Sequence, residues 1–177
     1  MRSLILALLI FGLADSMPAI EPPVLPVENG DFEHGIDPWK VRRGEIRVVP
    51  EAAHDSAAGL RIVARENAGV IHPAIPIEPG KTYVLRFWVR GLEFSYAAAI
   101  LGFTVGGSRH LEIENPNAFK PALPYGKEWQ PFTFKFTPPD AASEMSLQIA
   151  VWPKKDVKGT DVIDIDGIVI EEAAPTP

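Results

Sequence analysis

Apolar residues recur at every second position in several short segments, which is the pattern of β-strands with one buried face. In residues 83–90 the buried face would carry Tyr83, Leu85, Phe87 and Val89. Residues 132–136 alternate in the same way and are followed by a Pro-Pro pair. Residues 145–152 place Met, Leu, Ile and Val on one face and Ser, Gln, Ala and Trp on the other. These segments predict three strands of a partly buried sheet.

Further strand-like segments lie along the chain, with turn residues between them. They are residues 45–49, 60–64, 70–77, 98–105, 109–113 and 163–170. No alternation of strands with long helical patterns is present, and the 18 prolines suit loops and strand edges. The sequence therefore predicts an all-β protein, a β-sandwich jelly roll of eight to ten antiparallel strands.

The N-terminal residues have the pattern of an export signal rather than of the folded domain. A positive start precedes an apolar run of about ten residues at 4–13, and small residues follow. That run is shorter than the roughly 20 residues of a membrane-spanning helix, although a membrane anchor or a buried N-terminal helix is the alternative. We expect a signal peptide at 1–14, a proline-rich linker at 15–26, one domain at 27–172 and a tail at 173–177. The expected location is secreted or periplasmic, without stable membrane insertion after cleavage.

Charge and motif content argue against two classes of function. The formal net charge is −6, from 17 basic and 23 acidic residues, so a nucleic-acid partner is not expected. No phosphate loop, nucleophile elbow or metal-histidine motif is present. Asp164 and Asp166 share a strand, which is unsuitable for the two opposed carboxylates of a glycosidase. We therefore do not expect an enzyme.

Two acidic segments stand near the two ends of the predicted domain. Residues 27–33 contain Asp31 and Glu33, and the strand-like residues 162–170 contain Asp164 and Asp166. Buried carboxylates are costly unless a positive charge neutralises them. Neither segment contains Lys or Arg, so a bound cation is the simplest remedy. The alternative is that these acids are solvated and that Asn29-Gly30 is a simple turn.

Four segments in order resemble CenC-type carbohydrate-binding modules, the galactose-binding-like jelly rolls grouped with families 4, 9, 16 and 22. They are residues 29–33 with Trp39, residues 77–91, residues 129–137 and residues 165–170. The resemblance implies a two-sheet jelly roll with a structural calcium where the first and last strands meet. It also implies sugar binding, either in a cleft on the concave sheet or at the loop tips.

The resemblance assigns the calcium ligands in part. Glu33 and Asp166 match the metal carboxylates of the family, and Asp31 is a further candidate. Asp164 lies two residues from Asp166, on the same strand face, and is the fourth candidate. The family usually ends in two adjacent aspartates, and Gly167 stands in the second position here. Oxygen-rich sets of this kind suit Ca²⁺.

The sugar site is predicted from the polar faces of two strands. Trp88, Arg86 and Arg90 point away from the core in one strand, and Trp152 and Gln148 do so in the other. Sugars present C–H faces to aromatic rings and hydroxyl groups to polar side chains. These five residues supply that mixture, provided that the two strands share a sheet. The alternative is that Trp88 packs under a loop.

The other aromatic residues and the histidines are assigned structural roles. Trp39 and Trp129 are expected to pack, and Tyr96 and Tyr125 are expected in loops, with a contact to the ligand as the less favoured alternative. The four histidines are expected at the surface or in loops; they are His34, His54, His72 and His110.

The functional prediction is a secreted, noncatalytic module that binds a carbohydrate such as a glucan- or xylan-type polysaccharide. The alternative is a structural or adhesion domain with the same fold and no sugar site.

Overall fold

The protein is a sandwich of two antiparallel sheets in a computed structural model that describes residues 23–25, 27–91, 94–110, 122–124, 126–153 and 162–174. The predicted signal peptide, most of the predicted linker and the end of the tail lie outside these residues. So does part of the predicted strand 109–113.

Sheet I has six strands in the order β3-β4-β11-β6-β9, with β1 paired to β11. Sheet II has five strands in the order β2-β5-β10-β7-β8. The bounds are β1 Val24–Leu25, β2 Lys40–Arg43, β3 Glu45–Val49, β4 Gly59–Val63, β5 Ala68–Pro76, β6 Tyr83–Gly91, β7 Phe94–Val105, β8 Ser108–His110, β9 Gly126–Phe136, β10 Ala142–Pro153 and β11 Val162–Glu172.

The core lies between the sheets and follows the alternation seen in the sequence. Tyr83, Leu85, Phe87 and Val89 of β6 are buried, as predicted. The predicted apolar face of β10 is buried as well: Met145, Leu147, Ile149 and Val151. Within sheet I, Phe87 is opposite Phe132, and their rings stack at 4.5 Å between centroids. Because every second residue of a strand is buried in the core, the residues between them face outward and are the ones that can contact a ligand.

The all-β sandwich is confirmed, and the structure adds two strands that the sequence did not indicate. Val24–Leu25, inside the predicted linker, pairs with Glu171 and Ile170 of β11. Lys40–Arg43 forms β2 although all of its residues are exposed, because it is an edge strand held by backbone hydrogen bonds to β5. Alternation of apolar and polar residues indicates strands with one buried face, and neither of these two strands has that pattern.

The described residues form one helical segment, a 3-10 turn at Pro50–Ala52. In this part of the chain no helix has the length and apolar character to cross a membrane.

The loop 50–58 folds over the outer face of sheet I. Arg61 and Arg90 of that face donate hydrogen bonds to the carbonyl oxygen of Glu51. The loop approaches β4 closely at Gly59, where a Cβ would lie 1.8 Å from the carbonyl oxygen of Ala52. A side chain at that position would push the loop away, so the glycine allows the loop to cover the outer face of sheet I.

Candidate functional site

The residues predicted to form one sugar face lie on opposite sides of the sandwich. Trp88 and its neighbouring arginines are on β6 of sheet I, whereas Trp152 and Gln148 are on β10 of sheet II. The condition that the two strands share a sheet is not met, so the predicted set cannot contact one ligand together. The reason is topological: β6 pairs with β11 and β9, and β10 pairs with β5 and β7.

A groove crosses the outer face of sheet II, and small residues form its floor. Gly69, Ala150 and Ala98 are consecutive partners on β5, β10 and β7. A Cβ at Gly69 would lie 2.6 Å from the carbonyl oxygen of Ile149, so a larger residue does not fit there. Gly69 and Ala150 of this row line a depression of about 240 Å³ along β2, β5 and β10.

Aromatic rings stand at one side of this groove. Trp152 lines it and is directly opposite Tyr96 of the neighbouring strand. The two rings lie 5.2 Å apart between centroids with a tilt of 35°. Tyr96 is 37% exposed. It lies on β7 rather than in a predicted loop, and Tyr125 is outside the described residues.

Polar side chains supply the rest of the groove. Arg42, Arg43, Asn67 and Gln148 line it. Among the described residues, none of these four side chains has an ion pair or a hydrogen-bond partner. The groove therefore combines aromatic surface with donors and acceptors that the fold itself does not use, which is the usual composition of a ligand site.

The outer face of sheet I holds its aromatic residues against one another. The ring of His54, from the covering loop, stacks on Trp88 at 4.1 Å with an angle of 13°. Trp129 meets His54 edge-on at 5.2 Å, and the Arg90 guanidinium lies 4.6 Å from the Trp129 ring centroid. Trp88 therefore packs under a loop, the alternative stated from the sequence, and Trp129 packs as predicted.

The arginines of β6 are also engaged. Arg86 forms an ion pair with Glu171 of the neighbouring strand. Arg90 donates from Nε to Asp164 at 3.0 Å. Both side chains face outward as predicted, but each already has an acidic partner inside the protein.

Two arginines neutralise the carboxylate of Asp164. The residue is 2% exposed. Arg61 donates to both carboxylate oxygens, at 2.7 and 2.9 Å, and Arg90 adds a third bond. The hydrogen bond to Asp164 raises the pKa of Arg61 above its ordinary value. Asp164, predicted as a calcium ligand, thus already has two positive partners inside the protein, which come from β4 and β6.

Asp166 has a different environment although it is equally buried, at 2% exposure. Its Oδ2 accepts hydrogen bonds from the His54 amide and the Ser56 hydroxyl, each at 2.7 Å, and Oδ1 accepts from the Gly167 amide. No Lys or Arg of the described chain pairs with it.

Asp166, Asp31 and Glu33 line one depression of about 440 Å³ beside Trp88. Glu33 accepts a hydrogen bond from the Ala57 amide, which ties the N-terminal segment to the covering loop. The described residues gather no three acidic or histidine side chains closely enough to hold a metal by themselves. Three of the four predicted ligands are thus brought to one place but do not converge on one point.

The structure places Trp39 and His72 in the core. Trp39 is 2% exposed, packs on Phe32 at 5.5 Å and donates from Nε1 to the Asn29 carbonyl, as its predicted packing role requires. His72 is 3% exposed and edge-on to Trp39 at 5.1 Å. The expectation of a surface or loop position is wrong for His72, because it lies on the inward face of β5 opposite Leu147.

Arg42, Arg43 and Asn67 are groove residues that the sequence reasoning did not select. Arg42 and Arg43 belong to an edge strand without alternation, and Asn67 lies in the turn before β5. The adjacent pair of arginines in an acidic chain was the one available indication.

The chain matches the family described as "Carbohydrate binding domain" (CBM_4_9) over residues 26–156. No curated protein sequence matches it.

The fold is similar to solved carbohydrate-binding modules. A family 16 carbohydrate-binding module has a TM-score of 0.63 at 20% identity, covering 81% of this chain and 97% of that one. TmCBM61, solved with β-1,4-galactotriose, has a TM-score of 0.55 at 16% identity and coverages of 83% and 97%. The module-and-catalytic-domain structure of Clostridium thermocellum xylanase 10B with xylohexaose has a TM-score of 0.60 at 14% identity; the match covers 88% of this chain and 29% of that one. The chain belongs to the carbohydrate-binding domain family and is, as predicted, a noncatalytic module.

Proposed function

We propose that the groove across sheet II binds a segment of a polysaccharide chain. The observation that carries this proposal is the set of uncommitted polar side chains beside Trp152 and Tyr96. On sheet I, by contrast, the equivalent aromatic and basic residues contact one another.

The chemistry of a sugar ring suits this groove. The C–H face of a pyranose lies against an aromatic ring, and Trp152 offers the larger ring at the groove wall. Hydroxyl groups at the edge of the sugar need donors and acceptors, which Gln148, Asn67 and Arg42 supply. The low floor at Gly69 and Ala150 lets the sugar chain lie close to the sheet.

The ligand class proposed is a glucan- or xylan-type polysaccharide. Two proteins of similar fold were solved with β-1,4-galactotriose and with xylohexaose. Their identities to this chain are 16% and 14%, so they support a polysaccharide ligand in general and not a particular sugar.

The test is calorimetry and affinity electrophoresis against a panel of soluble polysaccharides with two matched variants. We expect Trp152→Ala to weaken binding at least about ten-fold, since stacking on one ring contributes on the order of 1–2 kcal/mol. Trp88→Ala, the same change on the opposite sheet, should leave affinity within about two-fold when the protein is folded.

Two results would contradict the proposal. A ten-fold loss of affinity in Trp88→Ala, together with wild-type affinity in Trp152→Ala, would place the binding site on sheet I. No binding of the wild type to any polysaccharide would favour the alternative, a structural or adhesion domain.

We further propose that calcium binds in the depression lined by Asp31, Glu33 and Asp166. The support is the buried carboxylate of Asp166, which has only amide and hydroxyl partners in the described structure. Ca²⁺ would need small shifts of Asp31 and Glu33 toward it and further oxygens from the backbone. A ligand that binds only the folded state stabilises it, by about 2.7 kcal/mol at 100 times its Kd. Calcium should therefore raise Tm in wild type and not in Asp166→Asn; equal Tm values with calcium and with chelator would refute this site.

Secretion is proposed from the N-terminal pattern of residues 1–14. N-terminal sequencing of the protein recovered from the medium or periplasm tests it, and a mature chain that still begins at Met1 would contradict it.

A further inference from the structure

The two arginines of the groove differ from the other arginines whose side chains the structure describes. Each of the others forms an ion pair with an acidic residue; they are Arg47, Arg61, Arg65, Arg86 and Arg90. Arg42 and Arg43 have no such partner in the described chain and are exposed. In a protein of net charge −6 this is a local excess of positive charge.

A local irregularity of β2 brings both arginines to the groove. Successive residues of a regular strand point to opposite faces. The pairing of β2 with β5 shifts register between Val41 and Arg43, so Arg42 is an extra residue in the ladder. A bulge of this kind lets two adjacent side chains face the same side, and Arg42 and Arg43 both line the groove.

The described lining of the groove contains no acidic residue that would neutralise them. The hydroxyl groups of a neutral sugar do not require two positively charged guanidinium groups at one end of a groove. A guanidinium pairs most strongly with a carboxylate, which it can bind through two parallel N–H···O bonds. Charge complementarity therefore favours an anionic ligand at this end.

We propose that the polysaccharide bound in this groove carries uronic acid residues, whose carboxylates pair with Arg42 and Arg43. This inference rests on the proposed function, since it assigns the chemical class of the ligand to the same groove. In this arrangement Trp152 holds a sugar ring by stacking, and the two arginines select for a negatively charged carboxylate on the neighbouring part of the polysaccharide.

The test compares a glucuronoxylan with the same polymer after its carboxyl groups have been reduced to alcohols. Wild-type protein should bind the native polymer at least about ten-fold more tightly than the reduced one, and the difference should shrink as salt screens the pair. The double variant Arg42→Gln/Arg43→Gln should bind the two polymers equally. The matched control is Arg47→Gln/Arg86→Gln, which removes the same charge from β3 and β6 of sheet I, where these arginines pair with Glu45 and Glu171; it should behave as the wild type does.

The outcomes separate this inference from the proposed function. If both polymers bind equally to wild type, through Trp152, the groove is a sugar site and the uronic acid proposal is wrong. If neither binds, nor any other polysaccharide, the proposed function fails as well. Dextran sulfate serves as the control polyanion: binding to it as strong as to the native polymer, and lost in the groove double variant, would show unspecific polyanion attraction and would overturn the proposal.

Discussion

On sheet I, Arg61 and Arg90 hold Asp164, and the covering loop places His54 on Trp88. On sheet II, no acidic residue pairs with Arg42 or Arg43 in the described structure, and Trp152, in contact with Tyr96, lines a groove. The two outer faces thus carry similar side chains, namely tryptophan, arginine and amide or imidazole groups. One face uses them for contacts within the protein, and on the other the arginine and amide side chains have no partner in the described structure.

The difference shows that residue type alone does not identify a binding surface. A buried or paired charge has already exchanged water for a protein partner, and breaking that contact opposes any gain from a ligand. An exposed, unpaired guanidinium has no such contact to lose. We therefore expect substitutions on sheet I to change stability and substitutions on sheet II to change affinity.

The largest effect should come from removing Asp164. In Asp164→Ala, Arg61 and Arg90 lose their acidic partner in a partly buried place, so the free energy of unfolding should fall by about 3 kcal/mol. Urea denaturation measures it. The control is Glu171→Ala, which breaks the more exposed pair with Arg86 and should cost less than about 1 kcal/mol. Equal costs for the two variants would remove the stabilising role assigned to the Asp164 cluster.

Filling the groove should affect binding more than stability. In Ala150→Leu a larger side chain would project from the floor between Gly69 and Ala98, and polysaccharide affinity should fall at least about ten-fold. Val169→Leu, on the exposed outer face of sheet I, is the control and should bind as the wild type does. Unchanged affinity in a folded Ala150→Leu protein would mean that the ligand does not use this floor.

The smallest effect concerns the core between the faces, where burial lowers the pKa of His72 and the nearby charge of Glu28 opposes this only in part. Neither ring nitrogen has a hydrogen-bond partner among the described residues. Because the unfolded chain has the ordinary pKa of about 6.5, it binds the proton more readily than the folded protein does. The free energy of unfolding should therefore fall as pH drops below about 6.5, by at most about 1.4 kcal/mol per pH unit for this group.

The variant His72→Leu provides the comparison. Its stability should change less with pH below 6.5 than that of the wild type, while the difference between the two proteins should be constant above pH 7. Chemical denaturation at a series of pH values measures this. Parallel curves throughout the acidic range would show that His72 is protonated equally in both states.

Predictions from the sequence agree with the structure where burial imposes a period of two. The strands β3, β6, β10 and β11 agree closely with their predicted ranges, because one face of each is apolar and packed in the core. Strands β1 and β2 were not predicted, because an exposed edge strand is specified by backbone pairing and not by its side chains.

The candidate site was predicted only in part for a related reason. Alternation correctly placed Trp88, Trp152 and Gln148 on outer faces, but it does not say which strands are neighbours. The prediction of a cation near Asp164 used only the charges within its own segment. Its arginine partners come from β4 and β6, which are far from it in sequence.

The sequence by itself determined the strands of the core, the family and the outward side of each half-buried strand, because these depend on local periodicity and ordered motifs. Only the tertiary structure decided which outward residues are still available to a ligand. That depends on strand order, on the loop that covers sheet I and on ion pairs between distant segments. Asp164 and Asp166 show this most directly, since they stand two residues apart on β11. Strand pairing brings arginines to Asp164, and the covering loop brings an amide and a hydroxyl group to Asp166.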